Sequence, residues 1–91
     1  MQKYFFLSFT AYNCADDGHY DCHNYCDIDS IRVNNQKECQ EKCQELDKCA
    51  YWSYNVGTNG NNCYRHDAKA AKRFGGGNFK RGSKYCPGKQ Y

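Results

Sequence analysis

Eight cysteines in a chain of 91 residues set the main limit on how this protein can fold. At about 9% of the sequence, cysteine reaches the density of disulfide scaffolds, in which covalent cross-links replace much of the apolar core. Such cross-links are needed because Leu, Ile, Val and Phe together make up only about 12% of the chain. We therefore expect a single small domain, stapled by disulfides and located in an oxidising, secreted or extracellular compartment.

The start of the sequence carries no strong secretory signal. The first ten residues combine a charged start with a short apolar run, but Ser8 and Thr10 interrupt that run and no small-x-small cleavage site follows. We therefore do not interpret these residues as a signal peptide, and we expect the chain to be an excised module of a larger secreted protein. No apolar stretch is long enough to span a bilayer, so we expect no membrane insertion.

The two halves of the chain carry opposite charge. Residues 1–47 have a net charge of −5 and residues 48–91 a net charge of +8. Beyond Asp67 the charged side chains are all basic, a tract that could attract polyanions. Nucleic acid is not expected as a partner, because the expected compartment is extracellular and the acidic half of the chain would repel a phosphate backbone.

One helix is predicted with a defined start. Asn35 is a suitable N-cap, Glu38 stands three residues later in the capping-box position, and the following residues favour helix through about Asp47. Three positions spaced i, i+4 and i+7 form its inner face: Cys39, Cys43 and Leu46. The two helix cysteines are expected each to bridge a different strand.

Strands are predicted mainly after the helix. Residues 50–56 alternate and predict a half-buried strand, with Ala50, Trp52, Tyr54 and Val56 on one face and Tyr51, Ser53 and Asn55 on the other. Asn59-Gly60 is a strong turn signal, residues 63–66 form the returning arm, and residues 78–86 predict a closing strand. Residues 4–9 suggest a strand or ordered lead-in, residues 14–30 mostly loop with short extended pieces, and residues 67–73 a short polar segment.

The cysteine spacing, with the strand between two of the cysteines, resembles a known family. Cys39-x3-Cys43-x5-Cys49, followed directly by Ala50-Tyr51-Trp52-Ser53-Tyr54 and later by Cys63-Tyr64, is similar to the core of PAN/apple modules, most of all those of apicomplexan micronemal adhesins. The resemblance implies an α+β fold, a small disulfide-rich antiparallel sheet packed on one helix, over residues 14–86. Residues 1–13 are then a lead-in strand or linker and residues 87–91 a tail.

Disulfide pairing follows from the resemblance and not from spacing, since eight cysteines allow 105 pairings. Family connectivity implies the bridges Cys14–Cys86, Cys39–Cys63 and Cys43–Cys49. Cys22 and Cys26 remain and are expected to pair with each other.

Three other kinds of site have partial signals in the sequence. A zinc-stabilised intracellular interaction module is the main alternative, with thiols from Cys22, Cys26, Cys39 and Cys43 and imidazoles from His19, His23 and His66. Asp27-Ile28-Asp29 lacks the remaining ligand positions of a calcium loop, and Gly77-x4-Gly82-Ser83-Lys84 has Ser and Lys in the wrong order for a phosphate loop. We expect no metal and no cofactor.

Binding is the expected function. Every cysteine is expected to be in a bridge and no serine stands in a G-x-S-x-G elbow, so we expect no enzyme. The resemblance implies an adhesive or docking repeat of a secreted multi-module protein, which contacts a host-surface protein, an acidic or sulfated glycan, or other modules of the same parent chain. The candidate ligand-binding residues combine cations with aromatic rings: Phe79, Lys80, Arg81, Lys84 and Tyr85, with Tyr51 on a second surface.

Overall fold

The structure is a computed structural model and describes residues 14–21, 27–73 and 77–86. In these ranges the chain forms one helix and seven short strands. Their bounds are β1 Asp16–Asp17, β2 His19–Asp21, β3 Asp27–Ile31, α1 Gln36–Gln44, β4 Tyr51–Asn55, β5 Cys63–His66, β6 Ala71–Arg73 and β7 Phe79–Ser83. The predicted lead-in strand at residues 4–9 and the tail at residues 87–91 lie outside the described residues.

The strands form two antiparallel sheets. The larger sheet has the order β1-β7-β4-β5-β3, and β2 pairs with β6 in a separate two-stranded sheet. The predicted antiparallel sheet on one helix is confirmed. The predicted closing strand is confirmed as β7, which lies inside the larger sheet between β1 and β4.

Four strands lie in segments without a clear strand pattern: β1, β2 and β3 fall in the part predicted as mostly loop with short extended pieces, and β6 falls in the short polar segment. The β3 strand crosses residues 27–31, where the register of its pairing with β5 shifts between Asp27 and Asp29. Such a bulge breaks the two-residue period by which a strand is recognised in a sequence. The β6 strand lies in the polar segment at residues 67–73 and pairs with β2.

The start of α1 is confirmed, whereas its end is earlier than predicted. Asn35 accepts a hydrogen bond from the backbone N–H of Glu38 at 2.8 Å, and the Glu38 carboxylate accepts from the N–H of Asn34, one residue before the position of a capping box. The helix ends at Gln44 because the next turn tightens, with the N–H of Leu46 bonded to the carbonyl of Cys43 at 3.1 Å.

Three of the four expected disulfides are confirmed. Cys14 is bonded to Cys86, Cys39 to Cys63 and Cys43 to Cys49. Cys39 bridges α1 to β5 as expected, but Cys43 reaches the loop before β4, so the expectation of a strand partner for it is wrong. The expected Cys22–Cys26 bridge lies outside the described residues.

Sulfur makes up much of the core between α1 and the larger sheet. Six buried residues form the central cluster: Val33, Cys39, Cys43, Cys49, Trp52 and Cys63. The four cysteines among them are all in disulfides. The predicted inner face of the helix is confirmed, since Cys39 and Cys43 are fully buried and Leu46 packs against the cluster.

The prediction of a half-buried β4 is only partly confirmed. Trp52 faces the helix with 1% of its surface exposed, and Tyr54 packs on the same side. Val56 lies beyond the strand end and is 56% exposed, contrary to the alternation. Ser53, on the opposite face, is buried because the β2–β6 sheet packs over that side. Both faces of the strand centre are therefore covered.

Candidate functional site

The strand pairings show which side chains share the face of the larger sheet that points away from α1. Ser53 is opposite Tyr64 on β5 and opposite Arg81 on β7, so these side chains lie on one face, and Trp52 lies on the other. The β2–β6 sheet covers part of this face. The ring of Tyr20 packs against that of Tyr51, with 4.7 Å between the two centroids, and this contact anchors the small sheet to the large one.

A pocket opens between the two sheets on this face. Its volume is about 250 Å³. Aromatic and polar side chains line it: His19, Tyr20, Asp27, Ser53, Tyr64, His66 and Phe79. We call these seven residues the sheet pocket.

His66 links two strands at the floor of the sheet pocket. Its Nδ1 lies 2.6 Å from Asp27 Oδ1 and its Nε2 lies 2.9 Å from Ser53 Oγ. Burial lowers the pKa of His66 below its usual value, against the opposing effect of the hydrogen bond to Asp27, so the ring is neutral at pH 7. A carboxylate only accepts, so Nδ1–H donates to Asp27 and Nε2 accepts from the Ser53 hydroxyl.

The order Ser53, His66 and Asp27 matches that of nucleophile, base and orienting acid in serine hydrolases. Their setting differs from such a site. Ser53 lies in the middle of β4, which is paired on both sides, so the backbone N–H groups around it are committed to the two ladders. An acyl-transfer site needs free donors of this kind beside the nucleophile. We therefore interpret the three side chains as a hydrogen-bonded link between β3, β4 and β5.

His19 and Asp27 give the sheet pocket its remaining polar character. His19 Nδ1 is buried and has no hydrogen-bond partner, although its ring packs 5.0 Å from that of Phe79. Buried polar atoms are normally satisfied, so this nitrogen is available to a bound group. Asp27 is 58% exposed, and it is the carboxylate of the lining set.

The predicted basic and aromatic patch is not brought together by the fold. Arg81 is 2% exposed and its Nε donates to Asp16 Oδ1 at 2.9 Å. Lys80 points to the other face of the sheet and pairs with Asp17. Lys84 follows β7, and its side chain reaches the C-terminal end of α1. There its Nζ donates to the carbonyl of Leu46 at 3.1 Å and to that of the following residue.

The aromatic candidates are divided between separate places. Phe79 lines the sheet pocket, and Tyr51 lies on the same face, packed against Tyr20. Tyr85 is 40% exposed and is not a member of the pocket lining. The role of these residues in ligand binding stays a prediction, but the structure does not bring Phe79, Lys80, Arg81, Lys84 and Tyr85 together as one patch.

The opposite charges of the two halves of the chain explain why the predicted cations do not form a ligand-binding patch. Acids from the first half pair with cations from the second across the strands: Asp16 with Arg81, Asp17 with Lys80 and Asp29 with Arg65. The charge asymmetry seen in the sequence is thus partly used in ion pairs inside the module. The expected attraction of polyanions by Lys80 and Arg81 loses its support.

Sequence reasoning missed most of the sheet pocket. Period-two alternation places Tyr64 and His66 on one face of β5, which was a usable signal. The contact between Asp27 and His66 spans 39 residues and depends on the β3–β5 register, which no local pattern gives.

In the described part of the chain, the cysteines cannot supply the thiolates that the alternative zinc-stabilised module requires. Six cysteines there are bonded in disulfides and cannot act as thiolate ligands. Within the same residues, no three or more His, Cys, Asp or Glu side chains are grouped as metal ligands. Cys22, Cys26 and His23 lie outside the described ranges. Across residues 14–21, 27–73 and 77–86, no helix is both long and apolar enough to cross a bilayer.

Comparison with known proteins agrees with this architecture. Residues 17–89 match the family profile described as the PAN domain. Searches of curated proteins and of solved structures found no match. Taken with the helix, the antiparallel sheet and the three bridges, the match over most of the sequence shows that the chain belongs to the PAN domain family.

Proposed function

We propose that this PAN domain is a non-enzymatic recognition module for cell adhesion or protein docking, and that the sheet pocket is its contact surface. It acts as one repeat of a secreted multi-module protein of the micronemal type, which binds a protein or glycan on a host-cell surface. PAN domains bind proteins or carbohydrates, and the disulfides suit an oxidising, extracellular setting.

One observation carries the proposal: a concave site with aromatic walls and a polar floor lies on the sheet face away from the helix. Binding sites are mostly concave and apolar, with a few fixed polar groups that orient the ligand. Here Tyr20, Tyr64 and Phe79 supply the apolar surface. Asp27, Ser53 and His66 supply polar atoms whose positions are fixed by hydrogen bonds to one another.

The ion pairs of the module and the carboxylate in its pocket favour some kinds of binding partner over others. An acidic or sulfated glycan needs a cluster of unpaired cations. Two of the three predicted cations, Lys80 and Arg81, are each paired with an aspartate, and Lys84 is bonded to backbone carbonyls away from the sheet pocket. The sheet pocket itself carries the negative charge of Asp27. We therefore favour a protein, or an uncharged glycan, over a sulfated one.

Two tyrosine variants test the contact surface. Labelled, multimerised module is applied to cultured cells and to a glycan array, as wild type, Tyr64→Ala and Tyr85→Ala. Tyr64 lines the sheet pocket and Tyr85 is exposed elsewhere. We expect Tyr64→Ala to weaken binding at least about tenfold, since truncating an aromatic anchor costs about 1–2 kcal/mol or more, and Tyr85→Ala to bind as wild type.

Circular dichroism checks that both variants are folded. Loss of binding in Tyr85→Ala with retention in Tyr64→Ala would move the contact surface to the C-terminal end of the module. Failure of the wild type to bind any cell surface or glycan would contradict the adhesive role.

A further inference from the structure

Aromatic rings stand at several angles around the sheet pocket. The rings of Tyr64 and Phe79 are 5.9 Å apart and inclined by 45°, and those of His19 and Phe79 are 5.0 Å apart and inclined by 42°. Tyr20 lies on another side, 5.5 Å from the ring of His66. A group in the pocket therefore meets π surfaces from β2, β5 and β7, and such surfaces attract cations.

A carboxylate accompanies these rings. Asp27 accepts a hydrogen bond from His66, and its side chain is 58% exposed, so its negative charge is accessible at the pocket. The guanidinium of Arg81 lies 5.9 Å from the Tyr20 ring, but it forms an ion pair with Asp16, which offsets its charge. The electrostatic balance at the pocket favours a positive ligand.

The size of the pocket limits what can enter. Its volume of about 250 Å³ is below the roughly 300–1,000 Å³ of sites that enclose drug-sized ligands. A single extended side chain fits this space better than a branched oligosaccharide.

We propose that the sheet pocket takes the cationic side chain of a lysine or arginine on a partner protein. The aromatic rings of Tyr20, Tyr64 and Phe79 surround the apolar stem and the charged head, and Asp27 binds the ammonium or guanidinium group. The inference rests on the proposed function, because it names the ligand chemistry of the same site.

His66 makes this recognition sensitive to acid. Protonation of its ring would place a positive charge 2.6 Å from Asp27 and oppose a cationic ligand. The groups that face His66 come from four neighbouring segments: Asp27 on β3, Ser53 and Tyr51 on β4, His19 and Tyr20 on β2, and Asp67 after β5. Because burial keeps the pKa of His66 below its usual value, we expect cation binding to be full at pH 7.5 and to weaken only once the pH falls below the usual histidine pKa of about 6.5.

The first test uses only wild-type protein. The ¹⁵N-labelled module is titrated with Nα-acetyl-lysine amide, Nα-acetyl-arginine amide, the uncharged Nα,Nε-diacetyl-lysine amide, and galactose. We expect the two cations to shift the resonances of Tyr64 and Phe79 and to bind at least about tenfold more tightly than the diacetyl compound. A rise in salt from about 0.05 M to about 0.5 M should weaken only the cations.

Matched variants locate the charge that matters. Asp27→Asn removes the carboxylate of the sheet pocket, and Asp47→Asn removes an exposed one near the end of α1. We expect Asp27→Asn to weaken lysine amide binding at least about tenfold and Asp47→Asn to leave it unchanged. If Asp27→Asn does not fold, the salt dependence of the wild type decides.

The outcomes separate the two proposals. Equal binding of the diacetyl and cationic compounds, or shifts with galactose alone, would overturn the cation inference, as would no pocket shift with either cation. Provided that Tyr64→Ala still weakens cell binding as proposed above, the recognition function would stand with another ligand. If Tyr64→Ala binds cells normally and the cations leave the pocket resonances unshifted, both proposals are overturned.

Discussion

At the scale of single residues, Arg81 shows how burial changes the role of a charged side chain. From the sequence it was a ligand-binding cation, but in the fold its guanidinium ties β7 to β1 through Asp16 and to β2 through the carbonyl of His19. Lys80, its neighbour, makes a similar ion pair at a site that is 42% exposed. Adjacent cations on one strand thus differ mainly in their access to water.

Alanine variants of these two cations should have unequal effects on stability. We expect Arg81→Ala to lower the free energy of unfolding by about 2 kcal/mol, less than for a fully buried pair because Asp16 can be rehydrated. Lys80→Ala should change it by no more than about 0.5 kcal/mol. Urea unfolding followed by Trp52 fluorescence measures both. Equal losses would contradict the different burial of the two side chains.

His66 predicts a dependence of stability on mildly acidic pH. Its folded-state pKa is lowered by burial, so below about pH 6.5 the unfolded chain takes up a proton that the folded chain resists. The free energy of unfolding should therefore fall as pH drops below about 6.5 and level off below the folded pKa. Urea titrations in steps from pH 7.5 to pH 5 measure this slope, which we expect His66→Gln to lack. A slope that persists unchanged in that variant would exclude His66 as its source.

Tyr20 predicts a second window at alkaline pH. Burial raises the pKa of Tyr20 to about 12, so between about pH 10 and pH 12 the unfolded state ionises more readily than the folded state. Stability should fall as pH rises through this window, and Tyr20→Phe should fall less steeply. Thermal unfolding at pH 9 and pH 11 makes the comparison. An equal fall in the two proteins would place the alkaline loss elsewhere.

At the scale of elements, the contact of Trp52 with β7 determines how β4 and β7 fit together. The indole Nε1 donates to the carbonyl of Ser83 at 3.0 Å, and the amide of Gln40 on α1 donates to the same carbonyl at 3.3 Å. The indole ring lies over Gly82, where a Cβ would be 2.7 Å from Trp52 Cζ2. Glycine at this point allows helix, indole and strand to pack closely.

Two glycine variants test this packing. Gly82→Ala should lower the free energy of unfolding by about 1–3 kcal/mol, because the added methyl group overlaps a buried indole. Gly60→Ala is the control, since a Cβ at that position meets no atom within 4 Å, and we expect a change of no more than about 0.5 kcal/mol. The midpoints of thermal unfolding compare them. Similar stability of Gly82→Ala and wild type would show that the indole can shift at little cost.

Elements with local signals could be predicted from the sequence, and those that depend on distant pairing could not. The start of α1 followed from Asn35 and Glu38, and the hairpin arms from alternation and the Asn59-Gly60 turn signal. The β3 strand was missed because its bulge breaks the alternation. Asn62 was missed as well: its side chain accepts from the N–H of Val33 at 2.8 Å and donates to the carbonyl of Val33 at 3.0 Å, a contact across 29 residues.

The candidate site shows the same division between local and distant information. The prediction from the sequence placed the ligand on a run of neighbouring cations, Lys80 to Lys84, because a run is visible without knowledge of the fold. The sheet pocket combines residues from β2, β3, β4, β5 and β7, so it exists only once the strand order is known. Phe79 is the predicted ligand-binding residue that lines it.

At the scale of the whole molecule, disulfides replace an apolar interior. The bridges span 72, 24 and 6 residues in sequence and join the ends of the module, the helix to the sheet, and the helix to the following loop. Cross-links of this kind contribute about 2–4 kcal/mol each, comparable in sum with a net domain stability of about 5–15 kcal/mol. Four of the six central core residues are cysteines, so reduction also removes the contacts that close the core.

Thermal unfolding in strong reductant tests this claim most directly. The module is heated with and without reductant, a chelator being present in both samples, and followed by circular dichroism. We predict a cooperative transition for the oxidised protein and none for the reduced protein, which should already be unfolded at room temperature. A reduced protein that retained a cooperative transition at a similar midpoint would contradict a fold held together by its disulfides.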